Sequence, residues 1–154
     1  MQRIIILGYG ENVLSLVLET LKGNGNTGPF TVVQNIPVEN NDNNKYIPDQ
    51  VSVEVQLATS GLRLPESGQY IFGVASPQVK KAVFNFFLQN YLIVKESYIN
   101  LFHSTIVLAS SAEISKGCYF EPLSVISPFA KIGFGVTVNR GVTLGHHAIL
   151  DDFV

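Results

Sequence analysis

His146, with His147 beside it, is the residue of this 154-residue sequence best suited to proton transfer. An imidazole changes charge near neutral pH, so a presented histidine can act as a general base toward an amine or a hydroxyl. His146 follows Leu144-Gly145 at an outward place, where a plain surface histidine is the competing reading. The other candidate is the turn Gly8-Tyr9-Gly10, after the apolar run of residues 2–7 and before a helical pattern. Glycines there let a backbone approach a phosphate, and a helix start presents unpaired N–H groups to an anion. A complete fingerprint has a third glycine where this chain has Val13, so a simple tight turn is an equal reading. The single Cys118 reads as core and not as a reactive thiol. No metal site is expected.

The element that must position the histidines shows in the periodicity. Phe102, Leu108, Ile114, Phe120, Ile126, Ile132, Val138, Leu144 and Leu150 recur every six residues, all large and apolar. Four places after each stands Ile106, Ala112, Cys118, Ser124, Ala130, Val136, Val142, Ala148 or Val154, all small or aliphatic. Six is the period of neither a helix nor an ordinary strand. It suits a coil of short parallel strands, three per turn, each sending a residue into a shared core, and nine units make about three turns.

The glycine turn needs a different scaffold. Residues 2–7 read as a buried strand and residues 11–22 as a helix with a polar stripe of Glu11, Asn12, Ser15, Glu19 and Lys22. Residues 30–36 read as a second strand, residues 51–57 as a half-exposed one and residues 70–75 as another buried one. A polar excursion at residues 40–44 lies between Pro37 and Pro48. A further helix is expected over residues 77–90, with Ser76 as N-cap, Pro77 first, and Val79, Val83, Phe86 and Phe87 on one face. The pattern predicts an α/β unit with a short, Rossmann-like parallel sheet over residues 1–98, followed by a coil over residues 99–154.

Apolar residues make up 46% of the chain, enough for a sizeable core. With 14% charged residues, a formal net charge of -2 and no basic run, nucleic acid and anionic membrane are poor partners. The run from Ile4 to Leu7 is too short for a signal-peptide core or a membrane span. A lone cysteine fits a reducing, cytoplasmic setting.

A small α/β unit feeding a hexapeptide coil resembles the sugar N-acyltransferases of the left-handed β-helix superfamily, in the branch that acetylates nucleotide-linked amino sugars. The likeness spans the chain and is strongest from His103 onward. In residues 139–154, an Asn, a Gly two residues later and a His seven residues after the Asn match the family's catalytic segment at Asn139, Gly141 and His146. The resemblance implies His146 as general base, Asn139 beside the substrate amine, and a structural role for His103. It also implies a homotrimer of left-handed coils, acetyl-CoA as acyl donor between neighbouring coils, and a nucleotide-linked amino sugar on the N-terminal unit. The implied nucleotide contacts fall at Gly8, Tyr9 and Gly10, at Gln34 and Asn35, and at Ala75 and Ser76.

The family has an acidic residue where His147 stands, so His147 is either merely exposed or a support for the base. Gln34-Asn35 stand in usually acidic places and Ala75 in a usual glycine place, which leaves the sugar and the nucleotide open. Family members carry several more coils, so the chain reads as truncated within its acyl-donor site. The expectation is an N-acetyltransferase of surface-glycan biosynthesis. An O-acetyltransferase of the same fold and a non-catalytic trimerisation or ligand-binding module are the alternatives.

Overall fold

The computed structural model describes residues 3–37, 47–65 and 67–154. The polar excursion expected at residues 40–44 lies outside the described residues, as does Gln2 of the first run. Six elements come first: β1 (Ile4–Leu7), α1 (Glu11–Gly23), β2 (Phe30–Gln34), β3 (Val53–Leu57), β4 (Gln69–Phe72) and α2 (Pro77–Tyr91). The four strands form one all-parallel sheet in the order β3-β2-β1-β4.

Alternation along β1 accounts for the layering. Ile4 and Ile6 share a core with Leu14, Val17, Leu18 and Leu21 of α1, while Ile5 and Leu7 share another with Val83, Phe84 and Phe87 of α2. Successive strand residues point to opposite faces, so a continuous apolar run needs a cover on both. Each such side chain contributes about 1.5–3 kcal/mol by leaving water.

The buried face of α2 differs from the one expected. Val79 is 46% exposed and Phe86 only half-buried, whereas Lys80 and Phe84 are buried. The inward stripe is therefore Lys80, Val83, Phe84 and Phe87, at helical spacing, with a lysine hidden in it. Ser76 and Pro77 open the helix as expected. The Ser76 hydroxyl nevertheless caps no backbone N–H and lies 3.1 Å from Gln78 Oε1 instead.

A short 3-10 helix (Lys95–Ser97) and a parallel bridge between Tyr98 and Tyr70 carry the chain from the sheet edge into the coil. Nine two-residue strands follow, from β5 (Leu101–Phe102) through β6 (Val107–Leu108), β7 (Glu113–Ile114), β8 (Tyr119–Phe120), β9 (Val125–Ile126), β10 (Lys131–Ile132), β11 (Thr137–Val138) and β12 (Thr143–Leu144) to β13 (Ile149–Leu150). They stack as three parallel sheets, β5-β8-β11, β6-β9-β12 and β7-β10-β13. Six residues make one face and eighteen one turn, so Leu101 pairs with Tyr119 and Cys118 N–H donates to Asn100 Oδ1 eighteen residues back. This pattern fits a left-handed parallel β-helix.

Most members of both six-residue sets point inward; Leu108, Val142 and Val154 are exposed. Cys118, Phe120, Ile126, Ala130, Ile132, Val136 and Val138 form the coil's core, with Phe102, Ile106, Ala112, Ile114, Leu144 and Leu150 packed around it. Ser124 is fully buried among them and donates its hydroxyl to Glu121 O at 2.9 Å. The corners follow the same period. Gly117, Leu123, Phe129, Gly135, Gly141, His147 and Phe153 all take φ between 60° and 72°. Four of these seven are not glycine, so the stack holds side chains in a backbone region that costs them energy.

Candidate active site

Asn139 and His146 bracket one face of the last turn. Asn139 follows β11, His146 follows β12, and both are exposed. The corner presenting Asn139 is fastened from below. Glu121, 6% exposed, accepts the Arg140 backbone N–H at 3.2 Å and pairs with Arg140 Nη1 at 3.3 Å. One turn down, Pro122 O accepts the Gly141 N–H at 3.0 Å.

The next corner holds the two histidines. His146 Nδ1 lies 3.0 Å from His147 Nδ1, and the rings stand perpendicular with centroids 5.2 Å apart. His147 takes φ 60°, a conformation histidine tolerates better than most side chains. Its N–H donates to Pro128 O at 3.2 Å, and its ring stacks on Phe129 at 5.1 Å and 28°. His147 is thus both exposed and in contact with His146. His103 belongs to the first corner. Its Nδ1 accepts the Thr105 N–H at 3.2 Å, and Thr105 Oγ1 accepts the Leu123 N–H at 3.0 Å.

The glycine turn lies at the carboxyl edge of the sheet. Gly8 takes φ +82°, and a Cβ there would stand 3.1 Å from both Val74 and Val83. Gly10 N–H donates to Gly73 O at 2.9 Å, so close strand packing consumes the donor that a phosphate could have used. A cavity of about 400 Å³ opens beside the turn. Tyr9, Asn35, Ile36, Val74, Gln78, Val79, Ala82 and Val83 line it. It brings together Tyr9 and Asn35 from the expected contacts. Gly8, Gly10, Ala75 and Ser76 are not among its lining residues, and Gln34 is buried on β2. The sequence reading missed Gln78, Val79 and Ala82. The available signal was that Val79 and Ala82 sit three residues apart on α2, flanking the Lys80 stripe on its exposed side.

Between the α/β part and the coil, Lys80 is 1% exposed. Its Nζ donates to Gly135 O and to Thr137 Oγ1, both at 2.6 Å, and burial pulls the ammonium down to about 8. Cys118 lies in the coil core, where burial pushes its thiol up to about 11, so it is a packed, unreactive thiol. An open groove of about 570 Å³ runs along β7, β10 and β13. Its charged lining is Glu113, Lys131, Asp151 and Asp152, an excess of carboxylate that repels a polyphosphate. Lys95, at 2.6 Å, and the Phe134 N–H hold the Asp152 carboxyl below the usual carboxylate range. Among the described residues, no group of three or more His, Cys, Asp or Glu could hold a metal ion, and no helix is long and apolar enough to cross a membrane.

No family model matches the sequence, and no curated protein matches it either. Solved structures do match. The acetyltransferase domain of PglB from Neisseria gonorrhoeae, in complex with acetyl coenzyme A, superposes with a TM-score of 0.72 at 19% identity, covering 99% of this chain and 69% of that one. A mutant of perosamine N-acetyltransferase from Caulobacter crescentus, in complex with CoA and GDP-perosamine, gives 0.56 at 17% identity, covering 98% of this chain and 77% of that one. PerB from the same organism, with the same two ligands, gives 0.52 at 14% identity over 99% and 63%. At such identities the likeness shows a shared fold, an α/β part joined to a hexapeptide coil.

Proposed function

We propose that this chain is an acetyl-CoA-dependent N-acetyltransferase acting on the amine of a nucleotide-linked amino sugar. The carrying observation is the presented His146, in hydrogen-bond contact with His147, at the corner of such a coil. Support comes from the fold shared with the PglB domain and with perosamine N-acetyltransferase, solved with acetyl-CoA or with CoA and GDP-perosamine. In this reading residues 1–98 form a Rossmann-like unit that binds the nucleotide sugar in the cavity beside Tyr9 and Asn35. Residues 99–154 form the acyl-transfer coil. A homotrimer in the cytoplasm, serving surface-glycan synthesis, completes the proposal.

The chemistry asks little of the protein beyond positioning and a base. The acyl donor supplies an activated thioester. The sugar's ammonium gives one proton to His146, and its freed lone pair attacks the thioester carbonyl. The adduct's nitrogen then gives up a second proton, the C–S bond breaks, and CoA leaves as the thiol; no covalent enzyme intermediate forms. Asn139, at the other end of the same face, orients the amine through its side-chain amide. The carboxylate-rich groove along β7, β10 and β13 is a poor seat for the donor's phosphates, which fits a donor site shared with a neighbouring subunit.

The test is transfer from acetyl-CoA to UDP- and GDP-linked amino sugars, by the wild type and by His146→Ala. The variant should lose roughly 10²- to 10⁴-fold in kcat with its fold intact, the range a positioned base supplies. Wild-type rates in His146→Ala would sink the assignment. Transfer to sugar hydroxyls but never to amines would replace it with the O-acetyl reading.

A further inference from the structure

The contact between His146 and His147 is more specific than two neighbouring rings require. At 3.0 Å, Nδ1 to Nδ1, one nitrogen must carry hydrogen and the other must offer its lone pair. Two Nδ1–H groups would repel, and two bare lone pairs would form no bond. The pair therefore holds one of two proton arrangements. If His147 donates, the hydrogen of neutral His146 lies on Nε2, and the base has no lone pair to present. If His146 donates, its Nε2 lone pair faces outward and can accept a proton.

The setting of His147 points to the second arrangement as the built one. Its ring is clamped by the stack on Phe129, and its backbone is fixed at φ 60° by the N–H bond to Pro128 O. Phe129 itself sits at φ 63° and stays 55% exposed, so neither residue is there for burial. The Phe129 N–H donates to Ser111 Oγ at 3.3 Å, one turn further down. A column of Ser111, Phe129 and His147 thus rises through the stack and ends on the Nδ1 of His146.

We infer that His147 is a positioning residue for His146: it accepts the His146 Nδ1–H and so keeps the Nε2 lone pair of His146 turned to the substrate. This rests on reading His146 as the base. The proton balance is simple. The substrate ammonium gives its proton to Nε2, and the N–H bond electrons stay on the amine as the attacking lone pair. His146 becomes imidazolium, and its Nδ1–H bond to neutral His147 turns charge-assisted and stronger. His147 thereby does the orienting work of a carboxylate without bringing a negative charge.

The experiment reads the tautomer directly, by ¹⁵N NMR of imidazole-labelled protein at a pH of about 8.5, where free imidazole is neutral. Wild-type His146 is expected mainly as the Nδ1–H form. His147→Gly suits the left-handed corner and removes the acceptor, so His146 should revert toward the Nε2–H form that free histidine prefers. His147→Asn also tolerates the corner and offers Oδ1, so it should restore the Nδ1–H form. In turnover, His147→Gly should lower kcat by roughly 10- to 100-fold with KM nearly unchanged, part of what a positioned base supplies, and His147→Asn should recover most of it. An Nε2–H form in the wild type, or one tautomer shared by the wild type and His147→Gly, overturns the inference. If the wild type transfers no acetyl group, the acetyltransferase reading fails, and the tautomer alone still decides the role of His147.

Discussion

The second and third turns of the coil obey the same backbone rule and differ in burial on two of their three faces. In the second, Phe120, Ile126 and Ile132 are 0%, 1% and 3% exposed. In the third, Val138 is 3% exposed, but Leu144 and Leu150 are only half-buried and Val142 is 37% exposed. Strand length, register and corner conformation are the same in both. What differs is cover. A repeat in a solenoid is buried by its neighbours, so sequence phase alone does not set its burial. Asn139 and His146 stand at exposed corners of the third turn.

That contrast can be broken by matched substitutions at the same phase. The largest expected effect is from Ala130→Asp against Ala148→Asp. Ala130 is 0% exposed, and an unpaired carboxylate there should cost at least about 4 kcal/mol. Ala148 is half-buried, and its variant should cost about 1–2 kcal/mol, since water still reaches the charge. Denaturant unfolding followed by circular dichroism separates them, and equal losses would refute the difference in cover. Next, Phe120→Ala should cost about 3–5 kcal/mol, because it removes a ring stacked 5.0 Å from Phe102 inside the core. Leu144→Ala, same phase, third turn, should cost about 1–2 kcal/mol.

Smaller effects sharpen the picture of how the open turn is fastened. Glu121→Ala leaves the Arg140 N–H without its buried acceptor and should cost ~1–3 kcal/mol. Its loss should show as faster amide exchange at Arg140 and Gly141 before any global unfolding. Lys80 gives a pH signature. Its folded-state value, about 8, lies below the ordinary lysine value of 10.5, with desolvation the main cause. Above about 8 the unfolded chain binds more protons at Lys80 than the folded one, so stability should rise as pH climbs from about 8 toward 9, beyond which the buried Cys118 thiol, held up at about 11, opposes the rise. In Lys80→Met that rise should vanish from denaturant midpoints measured across the window. A rise that persists would assign it to another group.

Particular residues show how far the sequence could be read. The coil was legible because its code is local: two inward residues in every six, with a corner between strands. The α1 helix and the parallel strands were legible for the same reason. The inward face of α2 was misread because Lys80 counts as polar, and only contact with Gly135 and Thr137 across the chain makes its burial tolerable. The glycine turn was legible as a turn. Why Gly10 is there became clear only when Gly73 came within hydrogen-bond reach of it. The residues beneath Asn139 and His147 were missed, although both lie one turn down: Phe129 stands eighteen residues before His147, and Glu121 eighteen before Asn139. Subtracting one turn from each candidate would have found them.

The sequence by itself determined the repeating coil and the strand–turn–helix opening, because spacing and turn chemistry act over a few residues. Only the tertiary structure decided that Lys80 locks helix to coil and that His147 meets His146 over Phe129. Burial and stacking are made by residues a full turn or more apart, and no local pattern carries their distances.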